Sequence, residues 1–174
     1  MQLTSFTDYA LRVLVYLAMK PGRIVSTAEI SRSYGVSQYH LGKVVHRLGR
    51  SGWVELRRGR GGGVRLNKTP DEIRIGDVVR DLEPSMRLVE CFDLETNRCP
   101  IAPVCGLAPA LERALESFLA TLNESTLADV VKDRIDHLRA AYDATIAAGA
   151  KSSAAPEESK DAPPPEPTNL GTFG

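Results

Sequence analysis

The sequence predicts a mainly α-helical chain with one small β-hairpin, arranged as a winged helix-turn-helix followed by a long helix. Three observations predict it. Two short helical patterns meet at Gly35, a Gly/Arg-rich hairpin follows directly, and a sustained helical repeat of apolar residues begins at Leu107. A length of 174 residues suits one compact core, or a small domain with an appended element.

The first helix is expected over residues 5–19. Ser5 with Asp8 three positions later reads as a capped start, and Phe6, Tyr9, Ala10, Val13, Leu14 and Leu17 recur at helical spacing. Pro21-Gly22 ends it. Ser26-x-x-Glu29 reads as a capping box that opens a second helix to Tyr34. Gly35 permits a left-handed turn, and Ser37 can cap a third helix to about Ser51, with Leu41, Val44, Val45 and Leu48 inward. Two short helices joined at a tight glycine turn mark a helix-turn-helix.

Residues 54–57 and 64–66 alternate as strands do, and Arg58-Gly59-Arg60-Gly61-Gly62-Gly63 lies between them. Four glycines and two arginines cannot fill a core but can lie against a phosphate backbone, so this hairpin is the wing. A short helix is expected at 76–83, ended by Pro84. A long helix should run from Leu107 to about Leu122. A last helix, capped by Thr126, carries Leu127, Val130, Val131, Ile135, Leu138 and Tyr142 on one side. Four regions follow from this reading: a helix-turn-helix unit at 1–83, a cysteine-bearing loop at 84–106, two helices at 107–147, and a Pro-, Ala-, Ser- and Glu-rich disordered tail at 148–174.

Hydrophobic residues make up 43% and charged residues 25%, ordinary for a soluble globular chain. No apolar run reaches the length of a membrane span, and residues 1–5 lack the basic start and apolar stretch of a secretory signal. A cytoplasmic protein is expected. The zero net charge conceals two opposite halves. Residues 1–68 hold 12 Lys and Arg against 3 Asp and Glu, a formal +9, and the remainder is −9. A basic helix-turn-helix is the footprint of a polyanion binder.

On the third helix, Ser37 and Gln38 stand where base edges would be read, and Gln38 can pair with adenine. Tyr39, His40, Lys43 and Arg47 suit phosphate or methyl contacts. Arg58 and Arg60 of the wing suit a narrow minor groove. No dinucleotide fingerprint supports a redox enzyme, because Gly59–Gly63 lies in a hairpin without the following helix that phosphate binding needs.

Cys91, Cys99 and Cys105 are the three cysteines of the chain, all within one irregular stretch. Their spacing lacks the close pair usual at zinc sites. Three thiolates on a loop stiffened by Pro100 and Pro103 can wrap a larger object such as an iron–sulfur cluster. Spacing alone leaves ordinary loop thiols as an equal reading. Three ligands would leave one iron of a cubane without a cysteine, and no His lies near Cys105.

Several segments together carry a family resemblance. These are Met1–Tyr9, the Tyr34-Gly35-Val36-Ser37 turn, the Arg58–Gly63 wing, Ile75–Arg80 and Thr126–Val130. They resemble the NsrR-like repressors, the nitric-oxide-sensing branch of the bacterial winged-helix iron–sulfur regulators that also include IscR and RirA. The resemblance covers about residues 1–132. It implies a homodimer crossing through the long helix from Leu107, binding operator double-stranded DNA as a repressor with nitric oxide as the signal. It implies a [4Fe–4S] cluster, or a [2Fe–2S] form, held by Cys91, Cys99 and Cys105. It further implies that Asp8 of the other protomer supplies the fourth ligand, whereas the residues alone make Asp8 a helix-capping group. An IscR-like site would place a His at position 108, where this chain has Ala108. RirA-like iron regulators share the wide first gap but tend to lack the acid at position 8; an iron-responsive regulator of that type is the alternative. Two features depart from the family pattern: the Cys91–Cys99 gap exceeds that of several NsrR-like proteins, and the Pro-rich tail lies outside it.

Overall fold

The computed structural model describes residues 2–93 and 95–153. It contains α1 (Ser5–Ala18), α2 (Thr27–Tyr34), α3 (Gln38–Arg50), β1 (Val54–Arg57), β2 (Gly63–Leu66), α4 (Ile75–Leu82), α5 (Leu107–Asn123), α6 (Leu127–Val131) and α7 (Ile135–Ser153). The mainly helical winged helix-turn-helix expected from sequence is the fold observed. The last helix extends past residue 148; of the expected disordered tail, residues 154–174 lie outside the described residues.

The helix starts differ from expectation in instructive ways. Thr4, not Ser5, caps α1: its Oγ1 accepts from the Thr7 N–H at 3.3 Å, and its own N–H donates to Glu83 Oε1 at 2.8 Å. The cap thus ties the N-terminus to the end of α4. Ser26 caps α2 by accepting from the Glu29 N–H, but Glu29 does not reciprocate. Its carboxylate turns to Lys20 Nζ (2.6 Å), Tyr16 Oη (3.0 Å) and Arg23 (3.1 Å), so tertiary partners outcompete the local one. Ser37 occupies the cap position of α3 but makes no side-chain cap bond. The single C-terminal helix expected after Thr126 is two, because the chain turns at residues 132–134.

Gly35 closes α2 in the left-handed region at φ 64°, where residues with a Cβ are strained, and its N–H bonds to the Ser31 carbonyl. β1 and β2 pair antiparallel, with Val54 opposite Leu66 and Arg57 opposite Gly63. Val25, just before α2, bridges antiparallel to β2 from its other side through two bonds with Val64 at 2.8 and 2.9 Å. A Cβ at Gly63 would lie 2.3 Å from the Val25 carbonyl oxygen, so only glycine allows this approach.

One core unites the two ends of the chain. Leu14 and Leu17 of α1, Ile30 of α2, Leu41 and Leu48 of α3, Ile73 just before α4, and Leu127 of α6 are fully buried together. The α5–α6 connection is stitched to the strand-like segment before α4 by Leu127 N–H to Ile73 O (2.8 Å) and Ile75 N–H to Ser125 O (3.2 Å). Helix α7 returns to α1 and α2, where Tyr142 packs edge-on against Tyr16 and Tyr34 with centroids 5.1 Å apart in both pairs. By contrast, α5 buries Leu119 alone fully; Leu111, Leu115 and Phe118 stay partly exposed and Leu107 is 64% exposed.

Candidate nucleic-acid interface and cysteine pocket

Burying Leu41, Val44, Val45 and Leu48 rotates the opposite face of α3 to solvent. Ser37, Gln38, Tyr39, His40 and Lys43 are all exposed there, with His46 one turn further on. Tyr39 is 69% exposed, a large aromatic held out from the core. Lys43 Nζ sits 4.5 Å above its ring, which holds the ammonium on the outward face. Arg58 and Arg60 are exposed at the tip of the hairpin. Helix face and hairpin therefore offer donors and positive charge, the chemistry needed for base edges and phosphates.

Arg47 differs from the others. Its guanidinium donates to the Asp81 carbonyl (2.8 Å) and carboxylate (3.1 Å) and to the Ser51 hydroxyl. Trp53 Nε1 donates to the same carboxylate at 2.8 Å. Burial pushes the Asp81 carboxyl upward, but the Ser51, Trp53 and Arg47 donors outweigh it and hold the group below the usual carboxylate range. Asp81 at the end of α4 thus pins the end of α3 and the root of the wing. Nothing local in the sequence pairs position 81 with positions 47 and 53, and sequence reading missed both Asp81 and Trp53.

Asp8 lies in the first turn of α1 and forms an ion pair with Arg12, with Nη2 to Oδ2 at 2.6 Å and Nε to Oδ1 at 3.0 Å. The Arg12 guanidinium lies 5.7 Å from the Tyr9 ring centroid and 6.0 Å from that of Tyr34. Asp8 caps no helix and does not line the cysteine pocket of its own chain.

Cys91, Cys99 and Cys105 are free thiols, each partly exposed, and all three line a single cavity of about 240 Å³. Val89, Ile101, Leu107, Ala108 and Leu111 make its walls apolar, and Glu90 lies at its edge. Ile101, one of these walls, is 57% exposed, and Val104, next to Cys105 in the chain, is 85% exposed. Among the described residues, no three His, Cys, Asp or Glu side chains converge closely enough to hold a single ion. Three thiols around one apolar hollow suit a larger thiolate-ligated group such as an iron–sulfur cluster, with the sulfurs spread around it.

The segment between Cys91 and Cys99 is organised by polar side chains that sequence reading passed over. Asp93 is 8% exposed and accepts from the Glu95 N–H (3.1 Å), the Thr96 hydroxyl (2.7 Å) and Arg87. Glu90 Oε1 accepts from the Arg98 N–H at 3.1 Å. The Asp-x-x-Thr spacing, a short acceptor next to a turn, is the signal available in the sequence.

Comparison with known proteins places this architecture. Residues 3–133 match the Rrf2 family model, described as iron-dependent transcriptional regulator. The transcriptional regulator NsrR of Bacillus subtilis is 49% identical over 140 residues, 80% of this chain and 96% of that one. NsrR of Geobacillus kaustophilus is 48% identical over 135 residues, covering 77% and 92%. Among solved structures, the cysteine regulator CymR of B. subtilis superposes with TM-score 0.60 at 28% identity, over 76% of this chain and 97% of that one. IscR of T. potens superposes with TM-score 0.61 at 26% identity, over 76% and 88%.

Proposed function

The chain belongs to the Rrf2 family of transcriptional regulators, and from that premise we propose that it is a nitric-oxide-responsive repressor that binds operator DNA as a homodimer and is released when nitric oxide nitrosylates its iron–sulfur cluster. The observation that carries this reading is the convergence of Cys91, Cys99 and Cys105 on one apolar hollow in a chain whose exposed α3 face and wing are basic. The [4Fe–4S] form, with [2Fe–2S] as its alternative, is assigned to those three thiolates. When bound, such a cluster supplies irons reactive toward nitric oxide.

The chain's own residues do the remaining work. Gln38 and Ser37 meet base edges, Tyr39, His40 and Lys43 meet the backbone or a thymine methyl, and Arg58 and Arg60 follow the minor groove. Arg47 contributes charge while Asp81 holds it in place. The partly exposed Leu111, Leu115 and Phe118 of α5 supply an apolar stripe for a second protomer, which sets two α3 helices at half-site spacing. Asp8, the proposed fourth ligand of its mate's cluster, is paired with Arg12 in its own protomer, so ligation would exchange part of that pair for a contact to the cluster. Because α1 packs on α3, that exchange is placed to bias the reading head. No described helix is long and apolar enough to cross a membrane, and a cytoplasmic location is proposed with the function.

The test is anaerobic purification with iron counting, followed by parallel titrations with nitric oxide and with an iron chelator while operator binding is measured. About four irons per protomer, with DNA release by nitric oxide, is the expected result. Equal release by both agents would favour iron responsiveness, the reading that the family's iron-dependent description supports. A colourless protein that still binds a specific sequence would refute the cluster. Lys43→Ala should weaken binding to all sequences alike and reduce the salt slope by about 1.

A further inference from the structure

The first cysteine gap spans seven residues, and an unstructured segment of that length would have to surrender its conformational freedom when its two end thiols bind one object. It is not unstructured. Asp93 is the one acidic side chain buried among the described residues, and its carboxylate gathers the Glu95 N–H, the Thr96 hydroxyl and the Arg87 guanidinium. Its backbone carbonyl accepts from the Asn97 N–H at 2.9 Å, and Asn97 Oδ1 accepts from the Cys99 N–H at 2.9 Å. The relay continues from the Cys99 carbonyl to the Ala102 N–H (3.2 Å), and from the Ala102 carbonyl to the Cys105 N–H (3.4 Å). On the other side, the Asp93 N–H returns to the Glu90 carbonyl at 3.0 Å, next to Cys91. Cys99 is thus two hydrogen bonds from Asp93 and Cys105 four, while Cys91 adjoins Glu90, whose carbonyl accepts from the Asp93 N–H; none of these bonds involves a thiol.

We propose that Asp93 is the positioning residue of the cysteine site, folding the Cys91–Cys99 segment so that the thiols face one hollow before any cofactor arrives. This rests on the cluster reading above. The carboxylate does not touch the cofactor. It fixes the backbone that carries the ligands, as outer-shell partners do at other metal centres. The guanidinium of Arg87 adds a second anchor, joining the knot to the chain that leaves α4. A knot that is already formed holds the wide gap in place without the tight spacing that shorter ligand pairs rely on.

The experiment compares the full-length wild-type protein with Asp93→Ala, Asp93→Asn, Thr96→Val and Asn97→Ala, each reconstituted anaerobically with iron and sulfide. Iron loss to a chelator is timed, and hydrogen exchange at the Cys99 N–H is measured on the metal-free proteins. Asp93→Ala should lose iron about tenfold to hundredfold faster. Asp93→Asn, which still accepts from Glu95 but forfeits the Arg87 charge, should fall between, and Thr96→Val should lie nearest wild type. Exchange at Cys99 should quicken in the same order, with the thermal midpoint of the metal-free protein unchanged. Wild-type rates of iron loss and of Cys99 exchange in Asp93→Ala would overturn the inference. If that variant does not fold, wild-type rates of iron loss and of Cys99 exchange in both Asp93→Asn and Asn97→Ala would overturn it instead. A wild-type protein that takes up no iron refutes the cluster reading, and the Asp93 turn is then upheld or overturned by the exchange rates alone.

Discussion

Replacing Gly76 with alanine should loosen the joint between α4 and α5, although alanine is the better helix former. Gly76 is buried in the first turn of α4, against the end of α5. A Cβ there would lie 2.5 Å from the Leu119 carbonyl oxygen and 2.6 Å from Asn123 Oδ1. Neither can yield cheaply. The first is helical backbone. The second accepts from the Asp77 N–H at 2.9 Å while Asn123 Nδ2 donates to Asp77 Oδ1 at 2.9 Å, capping a helix that has no side-chain cap of its own. Overpacking of this kind costs about 1–3 kcal/mol, and losing two hydrogen bonds adds roughly 0.5–1.5 kcal/mol each. The helix propensity of alanine returns about 1 kcal/mol. The net is a destabilisation of about 1–5 kcal/mol, a drop in Tm of roughly 2–20 °C for a chain of this size. Gly42→Ala in α3 is the control: nothing lies within 4 Å of its Cβ, so propensity acts alone and Tm should rise. Thermal unfolding followed by circular dichroism measures both. A Gly76→Ala protein that melts at or above wild type would refute the steric argument.

Two further outcomes follow from the hydrogen-bonded nodes. Asp81 titrates below its ordinary value in the folded chain, so its contribution is present above the unfolded pKa and lost as pH falls; urea unfolding between about pH 5 and pH 3 should show a shallower acid limb in Asp81→Asn than in wild type. An equally steep limb would remove Asp81 from that role. Burial raises both Tyr34 and Tyr142, whose hydroxyls lie 2.6 Å apart, so their contribution is present below about pH 10 and lost as pH rises above it. The Tyr34 hydroxyl donates its hydrogen to the Arg12 carbonyl at 2.8 Å, which leaves Tyr142 to donate to Tyr34. Tyr142→Phe should therefore cost about 0.5–1.5 kcal/mol in urea at neutral pH, and a smaller difference above pH 10; a cost that persists undiminished at alkaline pH would contradict the assignment.

Much of this protein is readable along the chain because the governing physics is local. Apolar spacing sets α1 and α3, glycine at position 35 permits the turn between α2 and α3, and the Arg58–Gly63 run can be little other than a solvent-exposed hairpin. The three cysteines and the basic face of α3 are legible for the same reason, since residue type and spacing are enough to nominate them. What the sequence could not determine depends on groups far apart in the chain. Glu29 abandons its capping box because Lys20 and Tyr16 fold against it, and Thr4 replaces Ser5 as a cap because Glu83 reaches its N–H. Arg47 becomes a pinned side chain only once α4 brings Asp81 to it. Propensity and periodicity describe one element at a time, whereas a carboxylate goes to whichever donor offers the best geometry after burial, and that choice is made only when the elements have packed.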